Sequence, residues 1–361
     1  MSDHVEPVIH GALDFAELER LGLDPDAILD FSVNSNPFGA SPLVHRALLQ
    51  VPLDRYPDRE SISLRRALAQ RLDVSSEKII VGNGTAELIQ MAALAFLQRG
   101  ENVLILEPTF GEYERSARLM GANVHRWRTV PETGFAFRLD EIQKKLNGLK
   151  YRMAFLCSPN NPTGQVIPPD DLDRLAKNFP DTLFVVDEAY LAFVPGMKSA
   201  VTFRRNNILI LRSMTKDYAL AALRLGYMVA DEQLIRALAG VRPAWNVNAL
   251  AQVAGLTALQ DETHQRETLA KLQIEKQTLV AGLKGLGYAP VPSPTHYFLL
   301  PVGGGADFRQ RLLRRGILVR DCASFGLPAY IRLATRTHDE NMRLLQELPF
   351  FPAWEKERRS G

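Results

Sequence analysis

The feature that most constrains this chain is a recurring arrangement. A short apolar run, often β-branched, stops abruptly in polar residues, and a stretch with helical periodicity follows. Ile208 to Leu211 ends in Ser213, Thr215 and Lys216, with Arg224 beyond. Lys78 to Val81 enters Gly82-Asn83-Gly84-Thr85, and Val103 to Leu106 ends in Glu107-Pro108-Thr109-Phe110. Met153 to Cys157 runs into Ser158-Pro159-Asn160-Asn161-Pro162-Thr163-Gly164, and Leu183 to Val186 into Asp187-Glu188-Ala189-Tyr190. Such runs read as strands covered on both faces. Helices between them imply a mostly parallel sheet, because a parallel connection needs a long crossover. Parallel strands share one carboxyl edge, so these polar clusters are expected to converge where open α/β sheets hold ligands.

The chain, at 361 residues, exceeds one typical core. The expected fold is α/β: a three-layer sandwich in residues 41–240, with a smaller α+β domain in 241–361. An arm, residues 1–40, joins the small domain. The boundary is placed where Pro243 interrupts a helical pattern running from Asp231 to about Leu283. Beyond it come strands Tyr297 to Leu300, Ile317 to Arg320 and Tyr330 to Ala334, the last two carrying Arg320 and Arg332. In the arm, Asn34-Ser35-Asn36-Pro37-Phe38-Gly39 makes irregular backbone, suited to lining a site or to an ordinary loop.

Composition excludes several classes. A net charge of +2 gives no electrostatic case for nucleic acid or a membrane as partner. Lys356, Arg358 and Arg359 form a basic patch that reads as a solvated tail. The two cysteines, Cys157 and Cys322, are too few for a disulfide framework and suit a reducing cytoplasm. No apolar stretch reaches ~18 residues, and Met1-Ser2-Asp3-His4 begins no signal pattern, so a soluble cytoplasmic protein is expected. The seven histidines are scattered without ligand spacing, which argues against a metal. No Gly-x-Ser-x-Gly elbow and no dinucleotide fingerprint is present, against a hydrolase and a nicotinamide enzyme.

What remains is a lysine, an aspartate, tyrosines, an asparagine and a glycine turn on one sheet edge. The Gly82-Asn83-Gly84-Thr85 turn opening a helix is either a simple tight turn or an anion cradle. A buried strand-end aspartate needs a cationic partner. A desolvated lysine beside cations becomes a Schiff-base nucleophile. Pyridoxal phosphate uses each part: a lysine for its aldehyde, a carboxylate for its ring nitrogen, a cradle for its phosphate.

Asn161-Pro162-Thr163-Gly164, Asp187-Glu188-Ala189-Tyr190 and Ser213-Met214-Thr215-Lys216 with Arg224-Leu225-Gly226-Tyr227 resemble the class I/II aminotransferase family of fold type I, across essentially the whole chain. The resemblance implies an aspartate-aminotransferase-like fold and pyridoxal 5'-phosphate on Lys216. It implies Asp187 on the pyridinium nitrogen, Asn161 and Tyr190 on the ring hydroxylate, and Phe110 stacked on the ring. Gly84, Thr85, Ala86, Ser213, Thr215 and Arg224 would hold the phosphate, and Tyr56 would reach it from a second subunit, implying a homodimer with shared sites. His10, Asn36 and Arg320 would face a substrate phosphate or carboxylate, and Arg332 the substrate carboxylate. For His10, a surface arm histidine is the competing reading.

Within the family, Arg55-Tyr56-Pro57-Asp58 and Tyr330-Ile331-Arg332 resemble both histidinol-phosphate aminotransferases and threonine-phosphate decarboxylases of cobalamin synthesis. His10-Gly11, Asp30-Phe31-Ser32-Val33-Asn34-Ser35-Asn36-Pro37, Trp245-Asn246-Val247-Asn248-Ala249 and Arg320-Asp321-Cys322 put the decarboxylases first. Departures from that pattern are Leu220-Ala221-Ala222 and Ala12. Either branch acts on a phosphorylated amino acid or amine. A cofactor-binding regulator without catalysis is the remote alternative.

Overall fold

The computed structural model describes residues 7–351. Its strands are β1 (Leu29–Asp30), β2 (Ile79–Gly82), β3 (Asn102–Glu107), β4 (Asn123–Arg128), β5 (Met153–Cys157) and β6 (Leu183–Asp187). Then follow β7 (Ile208–Ser213), β8 (Gly226–Val229), β9 (Tyr297–Pro301), β10 (Ile317–Leu318), β11 (Arg320–Asp321) and β12 (Tyr330–Ala334). A seven-stranded sheet has the order β2-β8-β7-β6-β5-β3-β4. Its pairs are parallel except those of β8, which runs antiparallel to both β2 and β7. Each apolar run that ended in a polar cluster is a strand of this sheet, and their carboxyl ends share one edge.

Alternation along the strands builds the three layers. Val103, Ile105, Phe155, Val185 and Leu209 face helices Gly84–Phe96, Glu112–Leu119 and Glu232–Val241. Leu104, Leu106, Leu156, Val186 and Ile210 face Ile62–Leu72, Pro169–Asn178 and Ala249–Gln260. Each fully buried Leu or Ile contributes about 1.5–3 kcal/mol, so both faces of the sheet are held by apolar packing.

The large-domain core extends past the boundary expected near residue 240. Ala251, Ala254, Ala258 and Leu259 pack with Leu64, Leu68 and Leu225 in that core. At Gly255 an added Cβ would sit 2.5 Å from Leu225 Cδ2, so this helix lies close against its neighbours. Pro243 does break the helix, but the chain returns to the same apolar surface. The crossing is made instead by the helix Glu262–Gly285. Leu272 packs with Tyr190 and Tyr297, and Leu279 and Leu283 with Phe298, Leu300 and Ile331 of the second core.

That second core is built on the antiparallel sheet β11-β12-β9 and on β1 paired parallel with β10. The single strand expected from Ile317 to Arg320 is therefore two, because the chain changes partner at Val319: Ile317 pairs with Leu29 and Arg320 with Arg332. Phe31 of the arm lies in this core, and Leu18 packs on Leu313 and Leu318. Lys356, Arg358 and Arg359, like Met1-Ser2-Asp3-His4, lie outside the described residues. Among the described residues no helix is long and apolar enough to cross a membrane, and no cluster of His, Cys, Asp or Glu could hold a metal ion.

Candidate active site

The carboxyl edge of the large sheet opens into a cavity of about 410 Å³ between the two domains, within the range of small-molecule sites. His10, Thr85, Ala86, Phe110, Asn161, Asp187, Tyr190, Thr215, Lys216, Arg224, Arg320 and Arg332 all line it.

Asp187 ends β6 and is buried. Its Oδ1 accepts from the Ala189 N–H at 2.9 Å and its Oδ2 from the Tyr113 hydroxyl at 2.7 Å. Burial nevertheless raises its pKa, against the pull of those bonds and of Lys216. Lys216 follows β7. Burial, with Arg332 and Arg224 nearby, lowers its amine to about 8, and Asp187 opposes the shift. A lysine so placed is largely a free amine at mildly alkaline pH.

The turn after β2 forms a second cluster. Gly84 has φ +77, a region L side chains rarely adopt, and a Cβ there would lie 2.8 Å from Arg224 Nη2. Asn83 makes no side-chain cap on the Gly84–Phe96 helix, so the first amides point free from its positive end. Ser213 and Thr215 hydroxyls are 2.7 Å apart, and Arg224 Nη1 donates to Ala221 O at 3.0 Å. At Gly226, the first residue of β8, a Cβ would stand 3.0 Å from Thr85 N, so β8 closes directly on this cradle.

On the small-domain side, Arg332 is buried and donates to Asn161 Oδ1 and to the Ser32 carbonyl, while its Nε has no partner. Tyr190 packs edge-on against Tyr297 at 4.8 Å, and burial raises its hydroxyl to about 12. Arg320 donates to Ile9 O and Ser324 Oγ, both at 2.7 Å; burial, then Arg332, lowers it to about 10. His10 Nε2 lies 3.1 Å from Glu112 Oε1, and its ring is 5.6 Å from Phe110.

Tyr56 stands apart from the cavity, 81% exposed and stacked on Trp245 at 4.7 Å. Gly84 and Ser213 are buried and are not among the residues that line the cavity. Asn36, expected to face substrate, is turned into the protein: its Nδ2 donates to Asp217 O at 3.1 Å and Thr268 Oγ1 at 2.9 Å. Asn34 takes the position expected of it. Asn34 is buried, lines the cavity, and both its side-chain polar atoms lack partners. Period-two alternation in Asn34-Ser35-Asn36 puts both asparagines on one side and could not separate them. Tyr113 was also missed; its place in the first turn of the helix that opens at Glu112, directly after the strand-end cluster with Phe110, was the available signal.

A model of the family described as aminotransferase class I and II matches residues 26–348. The chain belongs to the class I and II aminotransferases. It is a pyridoxal-phosphate-dependent enzyme with the aspartate-aminotransferase-like fold. The relative named histidinol-phosphate aminotransferase from Moorella thermoacetica is 36% identical over 332 residues, covering 89% of this chain and 84% of that protein. A structure of the protein so named from Sinorhizobium meliloti, in complex with pyridoxal-5'-phosphate, superposes with a TM-score of 0.85 at 24% identity, covering 94% and 95% of the two chains. The structure of L-threonine-O-3-phosphate decarboxylase from Porphyromonas gingivalis is 28% identical, with a TM-score of 0.79 and coverage of 89% and 98%. The residues of this family member fit its cofactor: the Gly84 cradle that a Cβ would fill, free helix amides beside Arg224, and a buried carboxylate facing a lysine.

Proposed function

We propose that the chain is a histidinol-phosphate-type aminotransferase, which moves an amino group from a phosphorylated amine to a 2-oxo acid such as 2-oxoglutarate. The observation that carries this is the Lys216 amine, lowered to about 8 beside the buried Asp187, in a cavity that also presents two buried guanidiniums, Arg320 and Arg332. Two anion sites suit a phosphorylated amine and a dicarboxylic acceptor taking turns. Support for amino transfer comes from relatives named histidinol-phosphate aminotransferase at 36% identity, from Moorella thermoacetica and Symbiobacterium thermophilum.

Pyridoxal phosphate supplies an aldehyde that takes up the amine and a ring that withdraws electrons from the α carbon. Asp187 would pair with the ring nitrogen, and the bonds from the Tyr113 hydroxyl and the Ala189 N–H favour its ionised form. Asn161 and Tyr190 would bond the ring hydroxyl, Phe110 would lie against the ring, and Gly84, Thr85, Ala86, Ser213, Thr215 and Arg224 would hold the phosphate. Lys216 would take the proton from the α carbon of the substrate and give it up again as general acid–base. Arg332 takes the carboxylate of the oxo acid, and Arg320, His10 and Asn34 the substrate phosphate. Tyr56 of the partner subunit would complete the cradle in a homodimer, which would account for its exposure on the stack with Trp245.

Decarboxylation of phosphothreonine is the second reading, favoured by the arm motif and by the 28% identity to the decarboxylase structure, above the 24% of the Sinorhizobium meliloti structure. The branches would differ in whether the α carbon gives up its proton or its carboxylate. Incubation with histidinol phosphate plus 2-oxoglutarate is expected to yield glutamate. Carbon dioxide from phosphothreonine, with no glutamate in the first reaction, would overturn the reading in favour of the second.

A further inference from the structure

Asn36 has every polar atom of its side chain engaged, and its backbone N–H and its Nδ2 both reach the chain segment that carries Lys216. Its backbone N–H donates to Lys216 O at 2.8 Å. Its Nδ2 donates to Asp217 O and to Thr268 Oγ1, and its Oδ1 accepts from Phe38 N at 3.1 Å. Asn36, Asp217 and Thr268 are all buried. Only an amide of this length offers two donors and an acceptor; aspartate has no donor and leucine neither. Gln265, one turn before Thr268, donates to Asp217 Oδ2 at 2.6 Å. Both ends of Asp217 are thus tied to the helix Glu262–Gly285, its carboxylate through Gln265 and its carbonyl through Asn36. This helix runs from the large domain into the small-domain core. The Lys216 side chain has no comparable anchor among the described residues, so its backbone decides where its amine stands.

We infer that Asn36, seated by Thr268, is a positioning residue: its backbone N–H and its side chain hold the carbonyls of Lys216 and Asp217, and through that stretch of backbone the stance of the Lys216 amine between Asp187 and Arg332. The setting then depends on how the interdomain helix is seated. The inference rests on the reading that Lys216 carries the cofactor. A displacement of about 1 Å at a reacting group costs up to ~100-fold in rate, and loss of one tie among several is expected to cost about tenfold.

The test compares holoenzymes of the wild type, Thr268→Val, Thr268→Ser and Asn36→Ala. Valine keeps the shape of threonine and removes the acceptor; serine keeps the acceptor. In Thr268→Val the pH midpoint of the cofactor's visible absorbance is expected to move by about half a unit, because the charges around the amine are re-spaced. Its kcat should fall about tenfold at unchanged KM. Thr268→Ser should match the wild type in both, and Asn36→Ala should exceed Thr268→Val. A Thr268→Val enzyme with wild-type midpoint and kcat would overturn the inference, as would a serine variant as impaired as the valine one. If Asn36→Ala does not fold, the threonine pair still decides. A wild-type protein without a visible band would instead remove the cofactor reading itself.

Discussion

The Tyr113 hydroxyl gives the sharpest handle on the electrostatics of the site. Tyr113→Phe keeps the ring, which stacks on Phe155 at 5.1 Å, and deletes the bond to Asp187 Oδ2. A hydrogen bond to a charged group is worth about 1.5–3 kcal/mol, and one pKa unit is about 1.36 kcal/mol. The Asp187 carboxyl, already raised by burial, should therefore rise further by about one to two units. The sign is fixed by the ionised form being the one that pairs with a protonated ring nitrogen. A higher pKa makes Asp187 neutral at a higher pH, so cofactor affinity is lost earlier on acidification. Equilibrium dialysis of pyridoxal phosphate against both proteins, from acid to alkaline pH, measures this. The acid-side loss of affinity in Tyr113→Phe should sit about one to two units higher, with the curves merging at alkaline pH. Superimposable curves would refute the assignment of Tyr113 as the group that keeps Asp187 charged.

Lys216→Ala should abolish the visible cofactor band and all turnover, read by absorbance and a glutamate assay. In the wild type, capture of added pyridoxal phosphate by cofactor-stripped protein should rise with pH with its midpoint near 8, the lowered value of the amine, not near that of a free lysine. Arg332→Ala should raise KM for 2-oxoglutarate by about 100-fold while leaving the cofactor band intact, since removing a buried guanidinium from a carboxylate costs about 2–5 kcal/mol. Gly84→Ala forces a side chain into φ +77 and against Arg224, and dialysis should show cofactor retained at least about tenfold more weakly. Mixing Tyr56→Phe with Lys216→Ala subunits should restore one intact site per mixed pair, seen as regained activity; none would sever Tyr56 from a shared site.

Strand positions and the convergence of their polar ends were legible because both follow from short-range pattern and the geometry of parallel pairing. β8 was less so: Gly226-Tyr227-Met228-Val229 is buried on both faces like its neighbours, and nothing local states that it runs backwards. The exchange of partners at Val319 is likewise invisible, since both halves of the run are apolar or extended and only the third dimension separates their sheets. Asn34 and Asn36 differ by what lies beside each after folding, a long-range fact. Pro243 marked a real helix break, but a break in periodicity does not say whether the next helix seeks a new core or the old one.

The reversed strand has a further effect on how such a protein can change. Because β8 returns towards the edge from which β7 departed, Lys216 and Arg224 hang from a single connecting loop between two hydrogen-bonded neighbours. The grips proposed for the aldehyde end and the phosphate end of one cofactor would therefore be spaced by chain length. Lengthening or shortening that loop would disturb both grips at once, so its length should drift less than that of the loops after β3 or β4.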